Sequence, residues 1–424
     1  FTRLYLEDFT ETTVFRFGTF DLVRSDWRRF QQSLDEESDD ATLLEPTVFS
    51  VGIVGIQEND GSYVSPPSVQ REQLNNNNTI VRQNEQSLVV DVCDLERTDS
   101  RAVFKNINVD MRQYKKVKMF IHAEDGESNS FQQGDLVAFV RMGNDFTQNY
   151  YQLELPLRKS SGAVGASESE VWPELNELNI SLELIEKIKS LGISEATLSN
   201  DDPTFYNVID GELQETPVDG FSPFSLGVNS SQTETPFEQR IAIKGNPNFG
   251  DIRSLMIGVK NIGSNDLCAE VWFNELRIAD MDNEGGWATI MSMDSNIADF
   301  MNVNANIKRS TTGFGNLDQG PNERSREDLK QYDVVANMNV GQLLPKKWGL
   351  QIPFNYGQSE TLITPEYDQQ YKDLKLQSRL DVAENSEDRA RILSQSEDYT
   401  KRQSINLIGV KKQRTGDAKP RLYD

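Results

Sequence analysis

Between Met301 and Lys308 the chain alternates without a break: Met301, Val303, Ala305 and Ile307 on one phase, Asn302, Asn304, Asn306 and Lys308 on the other. That is the period of a β-strand, whose successive side chains point to opposite faces, and not of a helix. The polar phase is itself unusual. A strand on a soluble sandwich turns Lys and Glu to water, whereas here the outward residues are mostly amides. An apolar face against hydrocarbon and an amide face toward a wet lumen is the pattern of a transmembrane barrel wall.

Three more runs follow at 332–340, 350–357 and, more weakly, 404–410. With their flanks they span about 9–11 residues, the length a tilted strand needs to cross a bilayer. Their polar phases nominate Asn302, Asn304, Asn306, Asn337, Asn339 and Asn355 as lumen-facing. Trp287, Tyr332, Trp348 and Tyr356 fall near run ends, where interfacial aromatics collect. The link 341–349 is short, while 310–331 and 358–403 are long, and the longest contains a helix near 386–394. Four strands cannot close a barrel, since the smallest use about eight. An open edge in lipid would leave backbone groups unpaired. The rest of the wall is therefore expected outside this segment, and both ends of the chain read as cuts. A second soluble β-domain with polar edges is the bland alternative.

The residues before Gly286 differ in charge. Residues 286–424 hold 19 basic and 19 acidic side chains, whereas 1–285 hold 24 and 48, so the formal charge of −24 lies wholly upstream. Such a step marks a domain boundary. The acidic balance excludes a nucleic-acid surface, which needs clustered Lys and Arg. No apolar run approaches the roughly 20 residues of a membrane helix.

Strand-like runs dominate here too, at 13–23, 48–56, 88–92, 117–122, 136–142, 150–157, 241–244, 255–259 and 269–278. Val117, Met119 and Ile121 read as core, and Lys116, Lys118 and Phe120 as the wet face. The stretch 65–78, with its four consecutive asparagines, reads as an exposed connector. One helix interrupts, from Leu182, with Leu184, Ile188 and Leu191 as its apolar stripe and Gly192 as C-cap. The fold expected is all-β: a segment 1–85 leading into a jelly-roll-like sandwich over 86–285, then barrel strands over 286–424.

Sites of chemistry are sparse. Asp280, Asp282 and Glu284 half-match the opening of a calcium loop, but Met291 stands where the closing Glu belongs, so the EF-hand reading fails. A looser Ca²⁺ site competes with a solvated turn between domains. Glu270 and Glu275 could be drawn as a glycosidase pair. With 67 acids in the chain such pairs arise by chance, so no enzyme is expected. Trp272, Tyr150 and Tyr151 would serve a sugar-binding face if exposed, and a core if not. Cys93 and Cys268 form no zinc or redox motif. They could pair if the first and last sandwich strands are neighbours, or stay free. His122 reads as an ordinary surface residue at a strand end.

The strings KNINVDMRQYKK at 105–116, AEVWFNELR at 269–277, DNEGGW at 282–287, RSTTGFG at 309–315, QLLPKKWG at 342–349, DYTKR at 398–402 and KPR at 419–421 resemble the SprA (Sov) family. Members are very large outer-membrane translocons of the type IX secretion system of Bacteroidota, tied also to gliding motility. The resemblance implies part of a giant barrel with a domain on the cell surface, without catalytic residues or cofactor. Its implied partners are secreted cargo proteins, a PorV-type outer-membrane protein, a periplasmic plug protein and outer-membrane lipid, with no nucleic acid. Two other readings stand beside it for residues 1–285: a surface carbohydrate-binding module, and a structural cap over the pore mouth.

Overall fold

The computed structural model describes residues 27–30, 34, 47–57, 63–67, 69, 71, 73–76, 79–82 and 84–413, the last span without 127, 163, 200, 227–228, 231–232, 235–236, 321–322 and 384. The strand expected at 13–23 lies outside the described residues. The fold is all-β with a few short helices.

Two antiparallel sheets enclose the main core. One has five strands in the order Glu177–Ser181, Tyr114–Asp125, Leu267–Met281, Gln86–Leu95, Val48–Gly55. The other has eight: Arg28–Arg29, Ser100–Val109, Ile252–Asn261, Leu136–Gly143, Tyr150–Pro156, Glu238–Lys244, Thr204–Ile209, Glu212–Val218. Val90, Val92, Val117, Met119 and Ile121 from the first meet Val103, Val140, Leu153, Ile241 and Val259 from the second in one cluster. The expected core phase of the 114–125 strand is therefore the one buried. Val48–Gly55 and Arg28–Arg29, which precede the expected sandwich boundary, are edge strands of its two sheets. Beside and within the expected connector, Gln73–Asn76 pairs antiparallel with Thr79–Arg82.

The outer faces are wet only in part, contrary to the simple alternation: Lys116 and Lys118 stay partly exposed. Phe120 and Trp272 are covered by Tyr63, Val171 and Trp172. His122 is fully buried in mid-strand, not on the surface. Its ring stacks on Trp272 at 4.0 Å. Nδ1 lies 2.6 Å from the Val171 carbonyl and Nε2 2.6 Å from Glu124. On the larger sheet, buried Glu154 sits between Arg240 and Lys260 at 3.7 and 3.6 Å. Both cations also donate to the Gly220 carbonyl. Lys260 lies 3.9 Å from the Phe221 ring, and Arg240 4.0 Å from that of Phe224. Short periodic runs cannot reveal such covers, because the covering residues are irregular and distant in sequence.

The helix spans Leu182–Ser194 and buries Leu182, Ile185 and Ile188, so its apolar stripe is rotated from the expected one. Gly192 does not cap it. The helix runs on to Ser194, and Leu198 packs where a Cβ on residue 192 would stand, 2.5 Å away, which leaves room only for glycine.

Gln86–Leu95 and Leu267–Met281 are adjacent, and a bulge between Leu267 and Ala269 sets Cys268 against Cys93. The two sulfurs are bonded, closing a span of 175 residues. Replacing both by serine should destabilise the sandwich by about 2–5 kcal/mol. Hydrogen exchange in Leu267–Met281 should accelerate while that in Met301–Ser310 stays unchanged; equal rates in both proteins would refute it.

Candidate pore wall and its dock on the sandwich

The third sheet has five strands, consecutive in sequence: Ala288–Ile297, Met301–Ser310, Glu327–Asn339, Pro353–Pro365 and Asp398–Leu407. The first escaped sequence analysis because Met291, Met293 and Ile297 alternate with Ser292, Asp294 and Asn296 but Ser295 interrupts the apolar phase. The other four extend beyond or shift from the expected runs, which shortens the long links to 311–326 and 366–397.

Register decides what each face carries. Asn302 pairs with Asn296 and Asn337, Asn337 with Asn355, and Asn355 with Asn406. One asparagine from every strand thus lies in a single cross-strand row. Asn355 donates to Asn337 at 2.6 Å and Asn406 to Asn355 at 3.1 Å. Asn304, Asn306 and Asn339 share this face by the same pairing. All six nominated asparagines therefore lie together, and register adds Asn296 and Asn406. A recess of about 640 Å³ at the short-turn end is lined by Asn296, Asn302, Asn337, Asn339, Asn355 and Asn406 together with apolar residues that include Phe300, Met301, Met338, Phe354 and Ile408. An amide both donates and accepts without charge, so the asparagine row hydrogen-bonds peptide or water without a fixed electrostatic preference, while Asp294, Lys308, Asp333 and Arg402 lie further along the same face.

The opposite face is aliphatic near the short turns. Ile297, Met301, Met338, Phe354 and Leu407 make one cross-strand row, and Ser295, Val303, Ala336, Tyr356 and Ile405 the next. Met291 and Ile405 on this face are 64% and 61% exposed, too open for a core. Toward the long links the face becomes mixed. The first polar residue follows Met291, Ile307, Tyr332, Tyr356 and Ile405 in successive strands, and Leu362 and Tyr399 return beyond it in the row of Arg309 and Lys330.

Tyr332 and Tyr356 both stand at that boundary. The Tyr356 hydroxyl donates to Gln358 and accepts from Gln403, and Gln358 donates to Tyr332. Glu360 pairs with Lys401 at 2.6 Å one row further on. Tyr356 is thus mid-strand, since its strand continues to Pro365. Trp287 lies at the long-link end, and exposed Trp348 at the opposite end in the turn Lys346–Trp348.

The link 366–397 folds back onto the sandwich. Lys189, on the helix Leu182–Ser194, pairs with Asp373 at 2.6 Å and donates to the Pro247 carbonyl. Asp373 also accepts from the Phe249 amide, and both side chains are buried. Arg112 donates to the Lys372 carbonyl, while the Tyr367 hydroxyl donates to the Arg112 carbonyl. The acids once considered for calcium face lysines: Asp280 faces Lys116, Asp282 faces Lys115 and Lys375, and Glu284 faces Lys115. Of these pairs, Asp282 with Lys375 joins the end of the sandwich to the link 366–397. Beside them Gly286 runs so close to the next link that a Cβ would stand 2.3 Å from the Phe314 nitrogen.

The proposed sugar-binding aromatics Trp272, Tyr150 and Tyr151 are all buried, so no aromatic platform exists there. Glu270 accepts from the Trp272 indole at 2.6 Å, and Glu275 faces Arg277. No helix among the described residues is long and apolar enough to cross a membrane, which leaves strands untouched by that criterion.

Fold and sheet faces thus define an all-β protein in which a disulfide-closed sandwich is docked on an open, two-faced sheet. A family model described as a motility related/secretion protein, SprA_N, matches residues 1–380. The chain belongs to the SprA family. No curated protein matches it.

The dock should respond to pH. Burial is the main cause pushing Glu186 up to about 7, against Lys375 and Ser378, which favour its charged form. Glu183 and Asp373 push in the same direction as burial. Folded Glu186 binds its proton more tightly than the unfolded chain does, so stability is fullest below the unfolded value of 4.5 and declines as pH rises through about 7. The protection factor of the helix Leu376–Asp381, which removes the intrinsic pH dependence of amide exchange, should be larger at about pH 6 than at about pH 8, and Glu186→Gln should abolish the difference. Asp373→Ala strands a buried ammonium and should cost about 3–5 kcal/mol of docking stability; unchanged protection of that helix would refute the buried pair.

Proposed function

We propose that the sheet from Ala288 to Leu407 is part of the wall of a large outer-membrane barrel, the translocon pore of the type IX secretion system. In this reading it conducts folded cargo proteins across the outer membrane, serves gliding motility and is not an enzyme. The observation that carries it is the division of the sheet by register into an amide face and an exposed aliphatic face.

Among the described residues the five strands leave two unpaired edges, which further wall strands would cover.

Long links in such barrels face the outside, and that puts the sandwich on the cell surface. There the dock through Lys189 and Asp373 makes it a cap held to the wall. The chain alternates between its sheets through 86–95, 100–109, 114–125 and 136–143, which supports a jelly-roll-like description. The partners implied are secreted cargo proteins, a PorV-type outer-membrane protein, a periplasmic plug protein and outer-membrane lipid. A carbohydrate-binding role loses its support with the burial of Trp272, Tyr150 and Tyr151.

Replacing Asn302, Asn304 and Asn306 together by leucine in the intact protein makes the amide face apolar without touching the strand pairing. Export of cargo should fall by about tenfold or more while the protein still reaches the membrane, because each lost amide removes a hydrogen-bonding group from the wet face. Undiminished secretion at equal protein level would overturn the pore-wall assignment.

A further inference from the structure

On the aliphatic face, register places Arg309 and Lys330 directly opposite each other on neighbouring strands, just beyond the aliphatic band. Both are exposed. The acids nearest on that face are engaged elsewhere. Asp328 accepts from the Thr312 amide and hydroxyl at 2.8 and 3.2 Å. Glu360 is taken by Lys401. Among the described residues no carboxylate forms an ion pair with either cation. Like charges directly opposite in a strand pair destabilise it. Trp287, an aromatic of the kind that anchors at membrane interfaces, lies 5.0 Å from the Arg309 guanidinium and backs it from one side.

We propose that Arg309 and Lys330 bind the phosphate-bearing headgroup of a lipid in the leaflet on the long-link side. The acyl chains would lie along Met291, Ile307 and Val334. The guanidinium offers a bidentate fork for phosphate oxygens and the ammonium a point charge beside it. The external anion neutralises the repulsion that the strand pair carries alone. A free phosphate would share the polar chemistry but have no use for the aliphatic band, and continuity between the cations and that band favours the lipid. The inference rests on the wall reading above and assigns a ligand to its rim.

The test uses the full-length protein in non-ionic detergent, with lipid A and its dephosphorylated form as probes and retained lipid counted by native mass spectrometry. The wild type should retain phosphorylated lipid A, and Arg309→Gln with Lys330→Gln should retain about tenfold less. Dephosphorylated lipid should be held weakly and equally by both, and Arg309→Lys should keep much of the binding. Equal retention of phosphorylated lipid A by wild type and double variant overturns the site. Displacement of the lipid by excess inorganic phosphate also overturns it, in favour of a free anion. A nitroxide at Met293 in phosphatidylcholine vesicles separates the two levels. Accessibility to oxygen but not to a water-soluble nickel complex upholds the wall whatever the lipid result; the reverse removes wall and lipid site together.

Discussion

Backbone pairing across the five strands from Ala288 to Leu407 keeps odd and even positions on opposite faces, and almost everything else about this half of the chain follows from that parity. A slip of one residue in any pair would turn amides onto the aliphatic side and methionines among the amides. Turn geometry alone leaves such slips open in long strands. The asparagine row narrows the choice, because Asn337, Asn355 and Asn406 hydrogen-bond to each other only in the observed register. The same side chains that make the face polar therefore also pin the alignment that creates it.

The sandwich solves a different problem. Its chain is acidic and rich in strands, and its two inner faces account for the core. The outer faces are then covered by irregular segments that bring aromatic rings and polar anchors: Tyr63, Val171 and Trp172 on one side, Gly220 and Phe221 on the other. Burying Glu154 with Arg240 and Lys260 costs desolvation that the neighbouring hydrogen bonds offset in part. Such charged centres fix the position of the covering segments more than they add to stability.

Period and composition made the all-β class, the core phase at Val117–Met119–Ile121 and the six asparagines of the amide face readable from the residues alone. Those features are local and repeat every second position. What was not readable depends on contacts between distant segments. His122 looked superficial because nothing nearby predicts that Val171 and Trp272 enclose it. The helix stripe was misplaced because Lys189 and Glu186, polar by type, face the link 366–397 that docks there. The strand Ala288–Ile297 was missed for a single serine, and with it the fifth member of the asparagine row.

The bond between Cys93 and Cys268 joins strands that lie near the beginning and the end of the sandwich's main run. Any mechanical load entering after Met281 at one side and leaving upstream of Gln86 at the other passes across that covalent link. The 175-residue span between the sulfurs is thereby taken out of the line of tension. Such a pull loads the domain as a whole and does not unzip the strands inside it one after another.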